Sequence, residues 1–290
     1  MESSSRPDGR EMIEARNIQF ELHDYACVFK LGSTIVSCRT LIKEVAPKDE
    51  RPSEGFFRLS VSSALKLEQH FRTEVLNSIR EAIIKSRALD LESLVINIGK
   101  TVWSLESEIV ILENDGGLFE AITMAVLGSL LQVKLPGPRG LRPLVLHHLP
   151  IAVSFAFIDI DHIFVDPTEM EIESSNGFLT IFGNVAGDIC SINKNGGVPI
   201  TPNIFSYCNV IASDIIISWH SALLQKMGKD APLLLLGMLN NKKSIPEPQL
   251  EPQVPVIDER IKPSKEEEEE ETNDNALDLG LLAILYLNKQ

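Results

Sequence analysis

The stretch Leu112–Leu131, LENDGGLFEAITMAVLGSLL, determines how the rest of this chain is expected to fold. It starts with Asn114-Asp115-Gly116-Gly117, residue types that favour turns and helix N-termini. After Glu120 it contains no charged residue, and such a helix is buried nearly all round. We therefore expect a central helix. Its first turn could hold an anion through free backbone N–H groups, although Leu118 and Phe119 stand where a phosphate-using enzyme would place a cation.

The composition indicates a globular protein with a sizeable core. Of 290 residues, 44% are hydrophobic, and the formal net charge is −14, which argues against a dedicated, strongly basic nucleic-acid module. The first ten residues contain no apolar signal region, and no apolar run reaches the ~20 residues of a membrane helix. The four cysteines show no metal-site spacing, so we expect them to be reduced and buried, without a metal or cofactor. They are Cys27, Cys38, Cys190 and Cys208.

Hydrophobic periodicity predicts an α+β fold with two sheets covered by helices. Alternating runs before and after the central stretch predict strands, and a linker-like break at Pro136–Gly140 separates two similar halves. The predicted strands are Ile18–Leu22, Ala26–Leu31, Thr34–Ile42, Gly55–Ser62, Leu94–Ile98, Val102–Leu112, Ile151–Ile158, Ile163–Val165, Phe178–Phe182 and Asp188–Ile192. The predicted flanking helices are His70–Arg87 and Pro202–Met227.

The last fifty residues have a different composition. Ile245–Pro263 contains five prolines and Glu266–Glu271 is a run of six glutamates; such sequences stay extended and solvated. The final apolar segment, Ala276–Leu287, is typical of a docking motif, and folding back on the body is the alternative. We expect a domain over residues 1–240, with halves at 1–135 and 145–240, and a disordered acidic tail over 241–290.

Five segments, in order along residues 6–230, resemble the RNase PH family, in particular the C-terminally tailed, PH-type ring subunits of the eukaryotic RNA exosome. One such motif alone would be weak, but five in the same order are specific. The longest match is Leu146–Phe157 followed by Val165–Thr168. The others are Arg6–Arg10 (RPDGR), Ser86–Leu94 (SRALDLESL), Asp115–Gly117 (DGG) and Lys194–Gly197 (KNGG).

The resemblance implies an RNase PH fold, of the ribosomal protein S5 domain 2-like type, with two sheet-plus-helix halves. It implies a hexameric ring of PH-type subunits, cap subunits with RNA-binding domains, and single-stranded RNA in the central channel. The implied role is support of RNA degradation and RNA processing, including that of rRNA, in the nucleus (nucleolus included) and the cytoplasm. Residues 276–287 are then a docking segment for a partner, and no membrane is involved.

Active family members cleave RNA with phosphate, which requires a basic cradle for the anion. Their DGGTRTA segment corresponds here to DGGLFEA, residues 115–121. Leu118 and Phe119 replace the Thr-Arg pair, and we expect Glu120 to repel an anion. The resemblance therefore implies a degenerate phosphate site, formed by Asp115, Gly116, Gly117, Leu118 and Phe119.

The catalytic carboxylate segment of active members, DLDYEED, is also altered. Asp166–Ile172 aligns with it, and Thr168 and Ile172 occupy two of its acidic positions. Three glutamates remain nearby: Glu169, Glu171 and Glu173. They could form a carboxylate pair, but a solvated acidic turn is the simpler interpretation. We predict no catalytic residue and no enzymatic activity.

Basic residues on the helix before the SRALD segment are candidate RNA contacts, because family members carry arginines there that meet the RNA backbone. Two positions that are often arginine align with Glu81 and Ile84, so a solvated helix face is the alternative interpretation. His147 and His148 are interpreted as structural, because no nucleophile signature accompanies them. The RNA-binding candidates are Arg72, Arg80, Lys85 and Arg87.

Three hypotheses about function follow. The first is a non-catalytic structural subunit of the exosome ring that helps to wall the RNA path. The second is an active phosphate-dependent 3′-to-5′ exoribonuclease, which would release nucleoside diphosphates in an assay of the pure chain. The third is an interaction protein that works through its tail, which would lose its partners when residues 276–290 are deleted.

Overall fold

Helix α2, Leu118–Leu131, is the central element, and all 14 of its residues are buried. The structure is a computed structural model that describes residues 6–63, 69–137, 140–159, 162–228, 232 and 235. The absence of any charged residue after Glu120 accounts for this burial, because every face of the helix can then pack against apolar neighbours. The predicted tail over 241–290, including its apolar segment 276–287, lies outside the described residues.

The other elements alternate between strands and helices. The strands are β1 Ile18–His23, β2 Ala26–Leu31, β3 Thr34–Val45, β4 Phe56–Ser63, β5 Val95–Asn97, β6 Thr101–Glu113, β7 Lys134–Gly137, β8 Gly140–Pro143, β9 Ile151–Phe157, β10 Ile163–Val165, β11 Gly177–Gly183 and β12 Ile189–Asn195. The remaining helices are α1 Gln69–Lys85, α3 Glu169–Ser174 and α4 Pro202–Met227.

Two sheets lie on either side of α2. The larger sheet has the order β1-β2-β3-β6-β4, with β5 also paired to β6, and only the β4–β6 pair is parallel. The smaller sheet has the order β10-β9-β11-β12 and is antiparallel. Helix α2 contacts β2 and β3 of the first sheet and β9 of the second. The α+β prediction with two sheet-plus-helix halves is confirmed, while the half boundaries at 135 and 145 stay a prediction.

Helix α1 packs on β4 and β12, and α4 packs on β1, β9 and β11. The apolar spacing of α1 is confirmed, since Val75, Ile79, Ala82 and Ile83 are its buried residues. Helix α4 begins with Thr201 as its N-cap, whose side chain accepts the N–H of Ile204, and Pro202 at the first turn. These are the residue types that start helices.

Two sequence predictions about local structure were wrong. The break at Pro136–Gly140 is part of a hairpin, because β7 pairs with β8 from Lys134↔Pro143 to Gly137↔Gly140. The solvated acidic turn is instead helix α3, which starts with a capping box between Thr168 and Glu171. The cysteine prediction is confirmed for three residues, but Cys190 is only half-buried.

Candidate functional site

The loop that the sequence predicts to be a degenerate phosphate site is a tight turn that starts α2. Gly116 and Gly117 have φ values of +78° and +67°, and Gly117 is the N-cap. The buried hydroxyl of Thr34 fixes the turn, because it accepts the N–H of Asp115 at 2.9 Å and donates to the carbonyl of Gly116 at 2.6 Å. Positive φ favours glycine, which explains why this loop retains both glycines.

The two side chains that replace the basic pair belong to the core. Leu118 and Phe119 are 6% and 2% exposed. The Phe119 ring contacts three other rings at centroid distances of 6.2–6.3 Å: Phe71, Phe178 and Phe182. This aromatic cluster joins α1, α2 and β11, so these positions pack the two halves together.

Glu120 points into the core, and the expectation that it repels an anion at the loop stays a prediction. Its side chain is fully buried, and its Oε1 accepts the backbone N–H of Ser154 on β9. Burial, assisted by the charge of Asp166, raises the pKa of Glu120 to about 7. The helix turns this residue toward the smaller sheet, which the alignment with DGGTRTA alone does not reveal.

The space in front of the α2 N-terminus is filled by an ion pair between Arg16 and Asp166. The Asp166 carboxylate accepts three hydrogen bonds from Arg16: from its backbone N–H at 2.8 Å, from Nε at 2.9 Å and from Nη2 at 2.6 Å. A β-carbon on Gly117 would lie 2.5 Å from Arg16 Nη2 and 3.0 Å from Asp166 Oδ1. The chain's own carboxylate and guanidinium therefore pack directly against the turn where a phosphate would have to bind.

A second buried ion pair, between Arg6 and Glu171, lies beside the first. Arg6 Nε donates to Glu171 Oε1 at 2.7 Å and Nη2 donates to Oε2 at 2.5 Å, with both residues under 5% exposed. Burial alone would raise the pKa of Glu171, but hydrogen bonds from Arg6 and from the Thr168 N–H bring it below its usual value. Glu171 is thus a structural anchor for the N-terminal segment, whereas Glu169 and Glu173 are exposed.

The four predicted RNA contacts lie in different environments. Arg80 and Arg87 are exposed and line grooves, and among the described residues neither has an ion-pair partner. Lys85 pairs with Glu81 at 2.8 Å on the helix surface. Arg72 is half-buried, and its Nε has no hydrogen-bond partner in the described part of the chain. Arg80 and Arg87 therefore line two grooves that share Arg51 and Glu54, whereas Arg72 lines neither groove.

Two adjoining grooves form a basic strip that the sequence did not predict. One, of about 590 Å³, lies beside β4 and Arg80; the other, of about 640 Å³, lies between Arg87 and the His147-His148 pair. Arg51 lines both. We define the basic strip as the cationic side chains of these grooves: Lys48, Arg51, Arg58, Arg80 and Arg87.

Acidic side chains also line the strip, among them Glu50, Glu54, Asp90 and Glu92. Arg51 pairs with Glu54 at 3.1 Å, and the pair is exposed. Exposed ion pairs contribute little and exchange readily, so Arg51 can still turn to a phosphate. In the sequence, Lys48 and Arg51 belong to a polar, Pro-containing loop at residues 46–54. Sequence alone does not show that this loop lies beside Arg80 of α1, because that depends on how the strands pair.

His148 is held by Ser86, the first residue after α1, and is not positioned for catalysis. Its Nε2 lies 2.9 Å from the Oγ of Ser86, and that hydroxyl donates to the carbonyl of Ala82. Since the Ser86 proton is committed to Ala82, the hydroxyl accepts from His148 Nε2–H and is not activated as a nucleophile. Burial lowers the pKa of His148, which favours the neutral ring in this contact.

In the part of the chain that the structure describes, no cluster of three or more His, Cys, Asp or Glu residues could hold a metal ion. No helix of that part is long and apolar enough to cross a membrane.

Sequence-family models for the 3′ exoribonuclease family match both halves of the chain: RNase PH domain 1 matches residues 14–136, and domain 2 matches residues 148–214. The chain is 33% identical over 251 residues to exosome complex component RRP45 of Danio rerio, an alignment that spans 78% of this chain and 64% of the relative. It is 32% identical to exosome complex component RRP45A of Arabidopsis thaliana, with 73% of this chain and 78% of that protein aligned.

Solved structures share the fold at lower identity. A chain of an archaeal exosome core superposes with a TM-score of 0.69 at 24% identity, covering 76% of this chain and 91% of that one. Rice Rrp46 superposes with a TM-score of 0.63 at 15% identity, covering 77% of this chain. Both similarities concern the fold. The family models that match both halves and the aligned relatives show that the chain belongs to the RNase PH family.

Proposed function

We propose that the protein is a non-catalytic structural subunit of an exosome core ring, which supports 3′-to-5′ RNA processing and degradation by helping to form the RNA channel. Membership of the RNase PH family and the names of the aligned relatives, all exosome components, support this proposal. The partners are other PH-type subunits in a hexameric ring, cap subunits and RNA, in the nucleus and cytoplasm. The archaeal exosome with RNA bound to its active site, similar in fold at a TM-score of 0.67, is consistent with the same assembly.

The observation that carries the non-catalytic part is the occupied α2 N-terminus. Phosphorolysis needs positive charge aimed at an incoming phosphate. Here Leu118 and Phe119 are in the core, and the Arg16 guanidinium is bound on its inner side by Asp166. A phosphate approaching this turn would meet a guanidinium that is already neutralised by Asp166.

The decisive experiment has two measurements. Co-expression of the full chain with candidate PH-type partners, followed by native mass spectrometry, is expected to give one copy per ring. Incubation of the pure chain with single-stranded RNA and orthophosphate is expected to release no nucleoside diphosphates. A phosphate-dependent product would favour the alternative of an active exoribonuclease, and partners lost only on deletion of residues 276–290 would favour the tail-mediated alternative.

We also assign the basic strip to contact with the RNA backbone. Its residues come from α1, from the turn after α1, from the loop after β3 and from β4, so they form one surface without being adjacent in sequence. Phosphate contacts position RNA without reading its bases, which suits a channel that accepts many transcripts. The acidic lining limits the affinity of any single contact, as expected for a strand that has to move.

The double variant Arg80→Glu/Arg87→Glu is expected to weaken RNA binding by the reconstituted complex. Each lost contact with single-stranded RNA should lower the slope of log affinity against log salt by about 0.7. The measurement is fluorescence anisotropy of labelled single-stranded RNA at several salt concentrations.

The control is Lys30→Glu, because Lys30 lies on β2 outside the strip and pairs with Glu21 at 3.0 Å. Lys30→Glu changes the charge by the same amount as each arginine substitution. The slope of log affinity against log salt for this variant should equal that of the unmodified complex. An unchanged slope for the Arg80/Arg87 variant, or equal losses in both variants, would remove the strip from the RNA path.

A further inference from the structure

One carboxyl group in the core has too few hydrogen-bond donors for its charge. In the described part of the chain, Glu120 Oε1 accepts the N–H of Ser154, while its Oε2 has no hydrogen-bond partner. The hydroxyl of Thr123, one turn further along α2, is also buried without a described partner. An ionised carboxylate normally accepts several hydrogen bonds when buried. The surroundings therefore suit a neutral carboxylic acid better than a carboxylate.

Two charged groups, from two separate segments, act on Glu120. Asp166, from the loop between β10 and α3, repels its negative charge, and Arg16, from the segment before β1, attracts it. Strand β9 contributes no charge, only the N–H of Ser154. Arg16 is already committed, with Nε and Nη2 bound to Asp166 and Nη1 donating to the Asp115 carbonyl at 2.7 Å. The Arg16 guanidinium is thus hydrogen-bonded to Asp166 and to the Asp115 carbonyl, and it donates no described hydrogen bond to Glu120.

Ser154 couples this carboxyl group to the ion pair. Its N–H binds Glu120, and its carbonyl accepts the N–H of Asp166 at 2.9 Å. The N-terminal segment is held in turn by Asp166, because Arg10 and Arg16 both donate to the Asp166 carboxylate. A charge that appears on Glu120 therefore acts on the contact that joins the N-terminal segment to the second half.

We propose that Glu120 is a proton-operated lock between the two halves of the protein. When Glu120 is protonated, α2 packs against β9 and the Arg16–Asp166 pair stays closed. When Glu120 ionises, its uncompensated charge repels Asp166 and loosens the segment that carries Arg10 and Arg16.

The direction of the pH effect follows from proton linkage. Burial raises the pKa of Glu120 from its usual 4.5 to about 7, so between these values the closed protein holds a proton that the opened protein has lost. Opening therefore becomes easier as pH rises through this window, by up to tenfold per pH unit, and levels off above it.

Hydrogen exchange on the full chain in its reconstituted complex tests the lock. The reporters are the backbone amides of Arg16 and Asp166, which are hydrogen-bonded inside the cluster. After correction for the intrinsic pH dependence of exchange, their opening constants should rise at least tenfold between pH 5 and pH 7. In Glu120→Gln, which cannot ionise, they should stay flat. The matched control Glu173→Gln removes an exposed carboxyl from α3 and should behave like the unmodified protein.

Three results would overturn the proposal: opening that does not depend on pH in the unmodified protein, the same pH dependence in Glu120→Gln, or loss of the dependence in Glu173→Gln. If Glu120→Gln does not fold, infrared titration of the unmodified complex decides. A buried carboxylic C=O band that disappears near neutral pH supports the lock, and absence of such a band contradicts it.

Discussion

Replacing Glu171 by glutamine is expected to lower the free energy of unfolding by about 3–5 kcal/mol, the usual cost of removing one partner from a buried ion pair. The substitution leaves the Arg6 guanidinium buried without a counter-charge while it still donates to the carbonyl of Val165 at 2.8 Å. Chemical denaturation of the full chain measures the loss. The effect is on stability, because Glu171 faces Arg6 and not a substrate groove.

The matched control is Glu173→Gln, two residues further along α3. Glu173 is exposed, so its change should stay within about 0.5 kcal/mol of the parent, as for most surface substitutions. The double variant Arg6→Met/Glu171→Leu should recover much of the loss, since apolar replacement of a whole buried pair is often neutral. Equal stability of the two glutamine variants would show that the Arg6–Glu171 contact contributes nothing.

Replacing Gly117 by alanine is expected to cost about 2–5 kcal/mol, or to prevent folding. Left-handed backbone costs a non-glycine residue about 1–2 kcal/mol, and the added β-carbon would lie 2.5 Å from Arg16 Nη2 and 2.8 Å from Leu31 Cδ2. Overpacking of a tight core adds about 1–3 kcal/mol. Thermal unfolding of the full chain measures the sum.

Gly196→Ala separates the backbone term from the contact term. Gly196 has a φ of +57°, and a β-carbon there would meet nothing within 4 Å. Its variant should lose only the 1–2 kcal/mol of backbone strain. If both alanine variants lose the same free energy of unfolding, the Arg16–Asp166 pair does not pack closely on the α2 turn.

The elements that could be predicted from the sequence are those with a strong local signal. The burial of α2 followed from a run without charges, and Pro202–Met227 was predicted with the bounds that the structure has. The β7–β8 hairpin was missed because Pro136 and Gly137 are turn-type residues, although both lie in the short strand β7. Short two-stranded pieces carry too little periodicity to outweigh such residues.

The site was harder to predict because it depends on contacts between distant residues. The DGG turn and the loss of the basic pair can be read from seven consecutive residues. The position of Asp166 in front of α2 cannot be read in this way, because Asp166 is held by Arg16, which is 150 positions away in the sequence. The basic strip likewise depends on how β4 and α1 lie beside each other, and only Arg80 and Arg87 of its members were predicted.

The ion pair between Arg6 and Glu171 joins residues 165 positions apart, and this has a consequence for biosynthesis. At 5–20 residues added per second, the ribosome needs on the order of ten to thirty seconds after Arg6 to make its counter-charge. During that time the guanidinium groups of the nascent N-terminal segment lack the carboxylate partners that the second half supplies. The start of the protein is therefore made first but docks only after the second half has been translated.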